Sequence, residues 1–228
     1  MRRLIALAPE IWHATHNFKV GGLPVSSRMT VVRLGGGGLW LHSPIPLDEG
    51  LRSEIESLGR AEAVVAPNKV HHLFLAECAA AFPSATVYGA PGLAEKRPDI
   101  PQLRVLPRTT QPGWKDQLDQ VFFEGIPFAN ETLWFHHPSA TLIATDLVQL
   151  WAGDLAWSAR LYASLTGVRQ ELAIPRTVRA LVRDRDAARK SAERILEWPI
   201  QRVILAHNSI VEADAYERMS RALAPFLR

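Results

Sequence analysis

Two short apolar runs in the second half of the chain each stop on a side chain that binds cations well. Thr141-Leu142-Ile143-Ala144-Thr145 delivers Asp146, and Arg202-Val203-Ile204-Leu205-Ala206 delivers His207. Runs of this length and composition read as buried strands. Polar groups at strand ends, carried on the loops of a packed sheet, are how α/β folds assemble their sites. The chain around them must therefore supply helices to cover a sheet.

It does so in alternation. Thr30 to Leu34, Gly35 to Gly38 and Leu39 to His42 read as a hairpin around a glycine turn. The four glycines lack the spacing and the lysine of a phosphate loop. From Asp48, residues Leu51, Ile55 and Leu58 keep helical spacing up to Gly59. Ala63 to Ala66 is a short strand broken by Pro67. A helix through Leu73, Phe74, Glu77 and Cys78 follows and ends at Pro83, and Thr86 to Tyr88 is the next strand. Gln120 to Phe123 and Thr132 to Phe135 read as strands before the one ending at Asp146. Trp151 to Leu165 reads as a helix, Asp184 or Asp186 caps another that runs to Trp198, and a last amphipathic helix carries Tyr216, Met219, Leu223 and Phe226. No repeat or linker interrupts the pattern, so a single layered α/β domain over residues 1–228 is expected.

Composition narrows the functional classes. With 47% apolar residues the chain can bury a full core, and no run of about 18 apolar residues predicts a membrane span. The apolar stretch after Arg2-Arg3 stops at Pro9-Glu10, too short for a secretory signal. The one cysteine, Cys78, excludes an internal disulfide, suits a reducing cytoplasmic setting and reads as a small core residue. The net charge of +3 is mild. The arginines from Arg176 to Arg194 alternate with Asp184, Asp186 and Glu193 as on a solvated helix, so neither nucleic acid nor a membrane is the expected partner. A small-molecule ligand is.

The chemistry concentrates at His71-His72, Asp146 and His207, because histidine and carboxylate are natural ligands for zinc, iron or manganese. A histidine at a strand end also serves as an ordinary hydrogen-bonded group, and Asp146 equally suits a helix cap. His136-His137, on the hairpin before Asp146, reads as polar hairpin structure with one ring able to face the site. His13, His16 and Asn17 are placed as rim residues. Trp12, Trp40, Trp134, Trp151 and Trp157 read as core or pocket wall.

The segments Arg28-Met29-Thr30-Val31-Val32-Arg33-Leu34, His42-Ser43-Pro44, Ala66-Pro67-Asn68-Lys69-Val70-His71-His72-Leu73-Phe74-Leu75, Pro91-Gly92-Leu93, Lys96-Arg97-Pro98-Asp99 and Ser139 to Leu147 carry a resemblance. The chain resembles the metallo-β-lactamase-like hydrolases and oxidoreductases, and within them an uncharacterised domain-of-unknown-function family. The resemblance implies a four-layer αββα sandwich. Superfamily members carry a His-x-His-x-Asp-His loop. Laid on this chain, Pro67 and Lys69 take the first two histidine places, His71 takes the aspartate place and His72 keeps the last histidine. A further superfamily histidine falls near Phe128, where none stands. Asp146 matches the bridging aspartate and His207 the final histidine. One metal position has thus lost its three histidines, and the other keeps His72, Asp146 and His207, with His71 as a substitute ligand.

Lys69 would bring a positive charge where one cation used to sit, to pair with Asp146 or an anionic substrate group, and with Asp146 it is the expected catalytic residue. Three functions stay open. One is a mononuclear hydrolase of an ester-type small molecule, using one zinc, iron or manganese ion. Another is a metal-free descendant that binds a small molecule or a protein. The third is an iron-dependent oxidoreductase-like protein.

Overall fold

The computed structural model describes residues 3–227 and arranges them as two facing β-sheets with helices outside both. In chain order the first half gives β1 (Ile5–Ala8), β2 (Ile11–Val20), β3 (Leu23–Arg33), β4 (Leu39–His42), α1 (Glu49–Leu58), β5 (Ala61–Ala66), α2 (Leu75–Ala81), β6 (Thr86–Gly89) and β7 (Arg104–Val105). These seven strands form one sheet in sequential order, antiparallel from β1 to β4 and parallel from β4 onward. The second half gives β8 (Leu118–Phe122), β9 (Thr132–His136), β10 (Thr141–Ala144), α3 (Trp157–Thr166), α4 (Arg176–Ala180), α5 (Arg185–Leu196), β11 (Arg202–Leu205), β12 (Ile210–Val211) and α6 (Ala215–Leu223). Its sheet runs β12-β11-β10-β9-β8.

The two-residue period of a strand sorts side chains into layers. Trp40, Ala63, Val65, Trp134, Ile143 and Ile204 face inward and meet between the sheets. Their neighbours Leu39, Leu41, Val64 and Ala66 face outward under Leu51 and Ile55 of α1 and Leu75 and Cys78 of α2. On the other side Leu133, Phe135, Leu142, Val203 and Leu205 lie under Ala188, Ala192 and Ile195 of α5 and Met219 and Leu223 of α6. Both faces of each sheet are therefore covered. Burial pushes the Cys78 thiol up to about 12, which fits the core role and leaves no reactive thiolate. Asp48 and Asp184 cap α1 and α5 through their carboxylates, accepting from the backbone N–H groups of Leu51 and Ala187. No described helix is long and apolar enough to cross a membrane.

Three sequence expectations change. The glycine-turn hairpin is there, but Ile11 to Ser27 extends it into a second, longer hairpin of ten paired positions that the sequence reading left unassigned. The helix expected from Trp151 begins only at Trp157, because Trp151 donates its N–H to Val168 O and Gln149 pairs with Ala173 as a bridge. Trp157 is neither core nor wall. It is 72% exposed, because α3 turns its small side chains, Ala159 and Ala163, toward the β2–β3 hairpin.

Candidate metal centre

Parallel pairing of β10 with β11 matches Ala144 to Leu205, so Asp146 and His207, each two residues further on, leave the sheet at the same level. That level is stitched to the opposite sheet. Ser27 of β3 bridges to His207, Arg28 N–H donates to Ala206 O at 2.7 Å, and His207 Nδ1 lies 2.9 Å from Ser26 O. The buried Arg28 guanidinium donates to the carbonyls of Leu205, Asn208 (2.8 Å) and Ser209 (3.2 Å). Burial brings its pKa down to about 10, still far above neutrality. The third donor comes from the loop after β5. Asn68, fully buried, accepts from the N–H groups of both Val70 and His71 at 2.8 Å and turns the loop so that His71 faces the site.

His71 Nε2, His207 Nε2 and the Asp146 carboxylate converge. The separations are 3.0 Å between the two nitrogens, 3.3 Å from His71 Nε2 to Asp146 Oδ2 and 3.2 Å from His207 Nε2 to Asp146 Oδ1. The side chains are 7%, 18% and 12% exposed for His71, Asp146 and His207, which shields the cluster from bulk water. Ser43 Oγ holds His71 Nδ1 at 2.7 Å, so both outer ring nitrogens have oxygen partners and both Nε2 atoms point inward. Ser43 and Asn208 hold left-handed backbone, at φ 55° and 53°. Such conformations are uncommon for non-glycine residues and gather at functional sites.

Glu131 braces the centre from behind. It is 2% exposed, accepts from the backbone N–H groups of Thr145, Asp146 and Leu147 at 2.9, 2.9 and 3.0 Å, and receives Asn68 Nδ2 at 3.2 Å. The same Asn68 nitrogen reaches Asp146 Oδ2 at 2.9 Å. Burial and the neighbouring Asp146 charge push the Glu131 carboxyl up, against the pull of its N–H donors. Burial also opposes the Asp146 charge, but His71 and His207 override it and hold that carboxyl well below its ordinary value. His207 moves the opposite way: burial lowers it, and its bond to Asp146 more than compensates, so it is raised.

The residues picked out in the sequence separate clearly. His71, Asp146 and His207 form the donor set, with all donor atoms within 4.8 Å of one another. His72 lines the same cavity, but its Nδ1 faces the Arg97 guanidinium at 3.2 Å; burial, Lys96 and Arg97 lower its pKa. The turn set by Asn68 thus exchanges the roles expected of the two adjacent histidines. Lys69 lies over Gly92 in a separate cleft with Glu95, Lys96 and Phe128, because the Asn68 carboxamide fills the space facing Asp146 and its neighbour points away. Among the described residues no ion pair joins Lys69 to Asp146. His136 is wholly buried and bonded to Ser139 Oγ at 2.7 Å, and His137 meets Phe135 edge to face; neither lines the cavity. His13 is buried in β2, His16 touches Phe18 and Phe74 beside the rim, and Asn17 is exposed. Trp151 does wall the cavity, and it donates to Gln149 Oε1, whose amide nitrogen lies 3.4 Å from Asp146 Oδ1.

The sequence reading missed Asn68, Glu131, Arg28, Ser43 and Gln149. A carboxylate directly before an apolar strand, as Glu131 stands before Thr132-Leu133-Trp134-Phe135, was the available signal for one of them.

Comparison with known proteins places this architecture. The family model described as Domain of unknown function (DUF4336) matches residues 9–152, well over half of the 228-residue chain. Among curated proteins no sequence matches. Among solved structures, the chain is similar to a metallo-β-lactamase from Pontibacter korlensis at a TM-score of 0.63 and 13% identity, over 98% of this chain and 99% of that one. It is similar to the metallo-β-lactamase FIM-1 from Pseudomonas aeruginosa in its mono-zinc form (TM-score 0.63, 11% identity, 98% and 95% covered). A metal-soaked flavodiiron core, Flv1 from Synechocystis, is also similar (TM-score 0.66, 9% identity, 99% of this chain and 60% of that one). At these identities the likeness shows the fold, an αββα metallo-β-lactamase sandwich.

Proposed function

The chain belongs to the DUF4336 family and carries the metallo-β-lactamase fold, and from that premise we propose that it binds one transition-metal ion through His71, Asp146 and His207 and hydrolyses an ester-type small molecule. The observation that carries the reading is a convergence of acceptors. With Nδ1–H donated to Ser26 O, a neutral His207 presents the Nε2 lone pair to Asp146 and to His71 Nε2, at 3.2 and 3.0 Å. These atoms gather around the buried Asp146 charge, and a metal ion or a proton among them would neutralise it. Without a metal a proton is drawn toward His207, whose pKa its bond to Asp146 raises. Ligand atoms about 2.0–2.2 Å from a common tetrahedral ion lie roughly 3.3 Å apart, which is the spacing observed here.

A bound ion would supply Lewis acidity toward a carbonyl oxygen and an open position for water. The chain's own residues do the rest. Ser43 and Ser26 O orient the imidazoles, Asn68 and Glu131 fix the carboxylate, and the covered sheets keep bulk water from the donor set. With no such ion, the cluster would be a proton-bound His–Asp–His group on the floor of a binding cavity, the alternative function.

Titration calorimetry of untagged protein with zinc(II), iron(II) and manganese(II) tests the reading. One equivalent should bind at pH 7.5, raise the melting temperature and displace any His207 proton, so affinity should weaken as pH falls through the raised His207 value, which lies above the ordinary 6.5. His71→Ala and His207→Ala should abolish the stabilisation, while His72→Ala should keep it. Absence of binding for all three metals would leave the metal-free binder as the function. If iron alone binds, the hydrolase yields to the oxidoreductase alternative.

A further inference from the structure

The cavity above the cluster, ≈ 380 Å³, has walls of a different character from its floor. Of the residues lining it, Asp146 and Lys96 carry the fixed charges, and both belong to the site end; Lys96 Nζ donates to Lys69 O on the loop that leads to His71. Away from the cluster the wall is the β2–β3 hairpin. Its register pairs His16 with Ser27, Phe18 with Val25 and Val20 with Leu23. Opposed residues of an antiparallel pair share a face, and so do residues two apart. Ser27, Val25 and Leu23 therefore form a line starting beside His207, to which Ser27 bridges, with Phe18 and Val20 alongside. Phe74 closes over this line, its ring 5.7 Å from that of Phe18.

We propose that this hairpin face is a ruler for a straight aliphatic acyl chain, so that the substrate class is a medium-chain acyl ester or its carboxylate product. At about 3.4 Å per residue, Val25 stands roughly 7 Å and Leu23 roughly 14 Å along the strand from Ser27. An extended chain advances about 1.2 Å per bond, by analogy with three backbone bonds in 3.3–3.6 Å, so the ruler measures about twelve carbons. The carboxyl end lies by Lys96 and the donor cluster, and the methyl end lies by Val20 and Leu23. The charges sit where an acyl ligand is polar and are missing where it is apolar. The inference rests on the metal-site reading only in placing a scissile carbonyl at the cluster; the chain-binding wall stands without a metal.

The test is calorimetric titration of the metal-free protein with hexanoate, octanoate, decanoate, dodecanoate and tetradecanoate. Each added methylene should tighten binding about 4-fold, hence about 15-fold per two-carbon step, and the gain should stop between dodecanoate and tetradecanoate. Val20 is 52% exposed at the hairpin tip, so Val20→Asp should fold normally. It should leave hexanoate binding unchanged and weaken dodecanoate at least 10-fold. A flat series overturns the proposal, and so does a gain that Val20→Asp leaves intact, which would place the chains on some other apolar surface. A graded series in a protein that takes up no metal sinks the metal reading alone. Metal uptake with a flat series sinks this one alone.

Discussion

Two of the three donors and the third are held by different physical means. Asp146 and His207 leave adjacent parallel strands whose register sets their level, so their approach is a property of the sheet. His71 leaves an irregular loop and reaches them only because Asn68 turns that loop, and Asn68 is held in turn by Glu131 and Asp146. Strand-borne donors depend on many backbone bonds shared with the whole sheet. The loop-borne donor depends on a few buried side chains, so the two halves of the site should fail differently under mutation.

The largest effect should come from Glu131, which touches both halves and accepts from four buried donors. Glu131→Ala leaves three backbone N–H groups and the Asn68 amide without their carboxylate. Each buried donor left unpaired costs about 1–3 kcal/mol, so a loss of at least about 4 kcal/mol in urea unfolding is expected. Asn68→Ala removes the turn of the loop and a single bond to Asp146. It should weaken metal binding by about 10–100-fold, as outer partners of ligands do, while leaving the sheets intact by circular dichroism. A Glu131→Ala protein as stable as the wild type would show that the brace is ornamental and that the loop is held by something else.

That division also explains what the sequence disclosed. Asp146 and His207 were legible because strand periodicity is written in consecutive residues, and a polar residue that ends an apolar run stands out. The layered fold followed from the same alternation of short strands with capped helices at Asp48 and Asp184. The choice between His71 and His72 was not legible, since it depends on an asparagine side chain bonding backbone two and three residues on. Glu131 acts across 14 to 16 residues and Arg28 across 177 to 181, distances over which local pattern carries no signal. The hairpin from Ile11 escaped notice for a different reason: His13, Thr15, His16 and Asn17 make its outer stretch look polar.

Acid should separate the sheet interior from the site. Burial lowers His13 and His136 to about 4, so both are neutral in the fold. The unfolded chain takes up protons on them from about pH 6.5 downward, so their stabilisation is complete above that value and is lost as pH falls toward 4. Between pH 7.5 and 5 this amounts to about 2 kcal/mol for each. His207 is raised instead, so its contribution in the metal-free protein is complete at low pH and lost as pH rises through its folded value. Urea midpoints at pH 5 and 7.5 measure the net slope. His136→Gln should flatten it by about 2 kcal/mol, and an unchanged slope would mean that the interior histidines are not what acid attacks.

The smallest effect is expected at Lys69, and it bears most directly on the loop. By sequence position Lys69 takes a metal-ligand place of the superfamily, only two residues before His71. In the fold its backbone N–H is tied to Ala129 O, its side chain runs over Gly92, and the cleft it lines is not the one that holds Asp146. Asn68 decides this, because its carboxamide takes the inward position and leaves Lys69 to face outward. Lys69→Ala should therefore change stability by no more than about 0.5 kcal/mol, the usual range for a surface change. It should also leave metal affinity and octanoate binding unaltered within error. A gain of metal affinity in Lys69→Ala, with stability unchanged, would mean that the ammonium reaches Asp146 in solution. The loop half would then have a second arrangement in which Asn68 yields its place, and the same metal titration would reveal it as weaker binding in Asn68→Ala with Lys69 intact than in the Asn68→Ala, Lys69→Ala double variant.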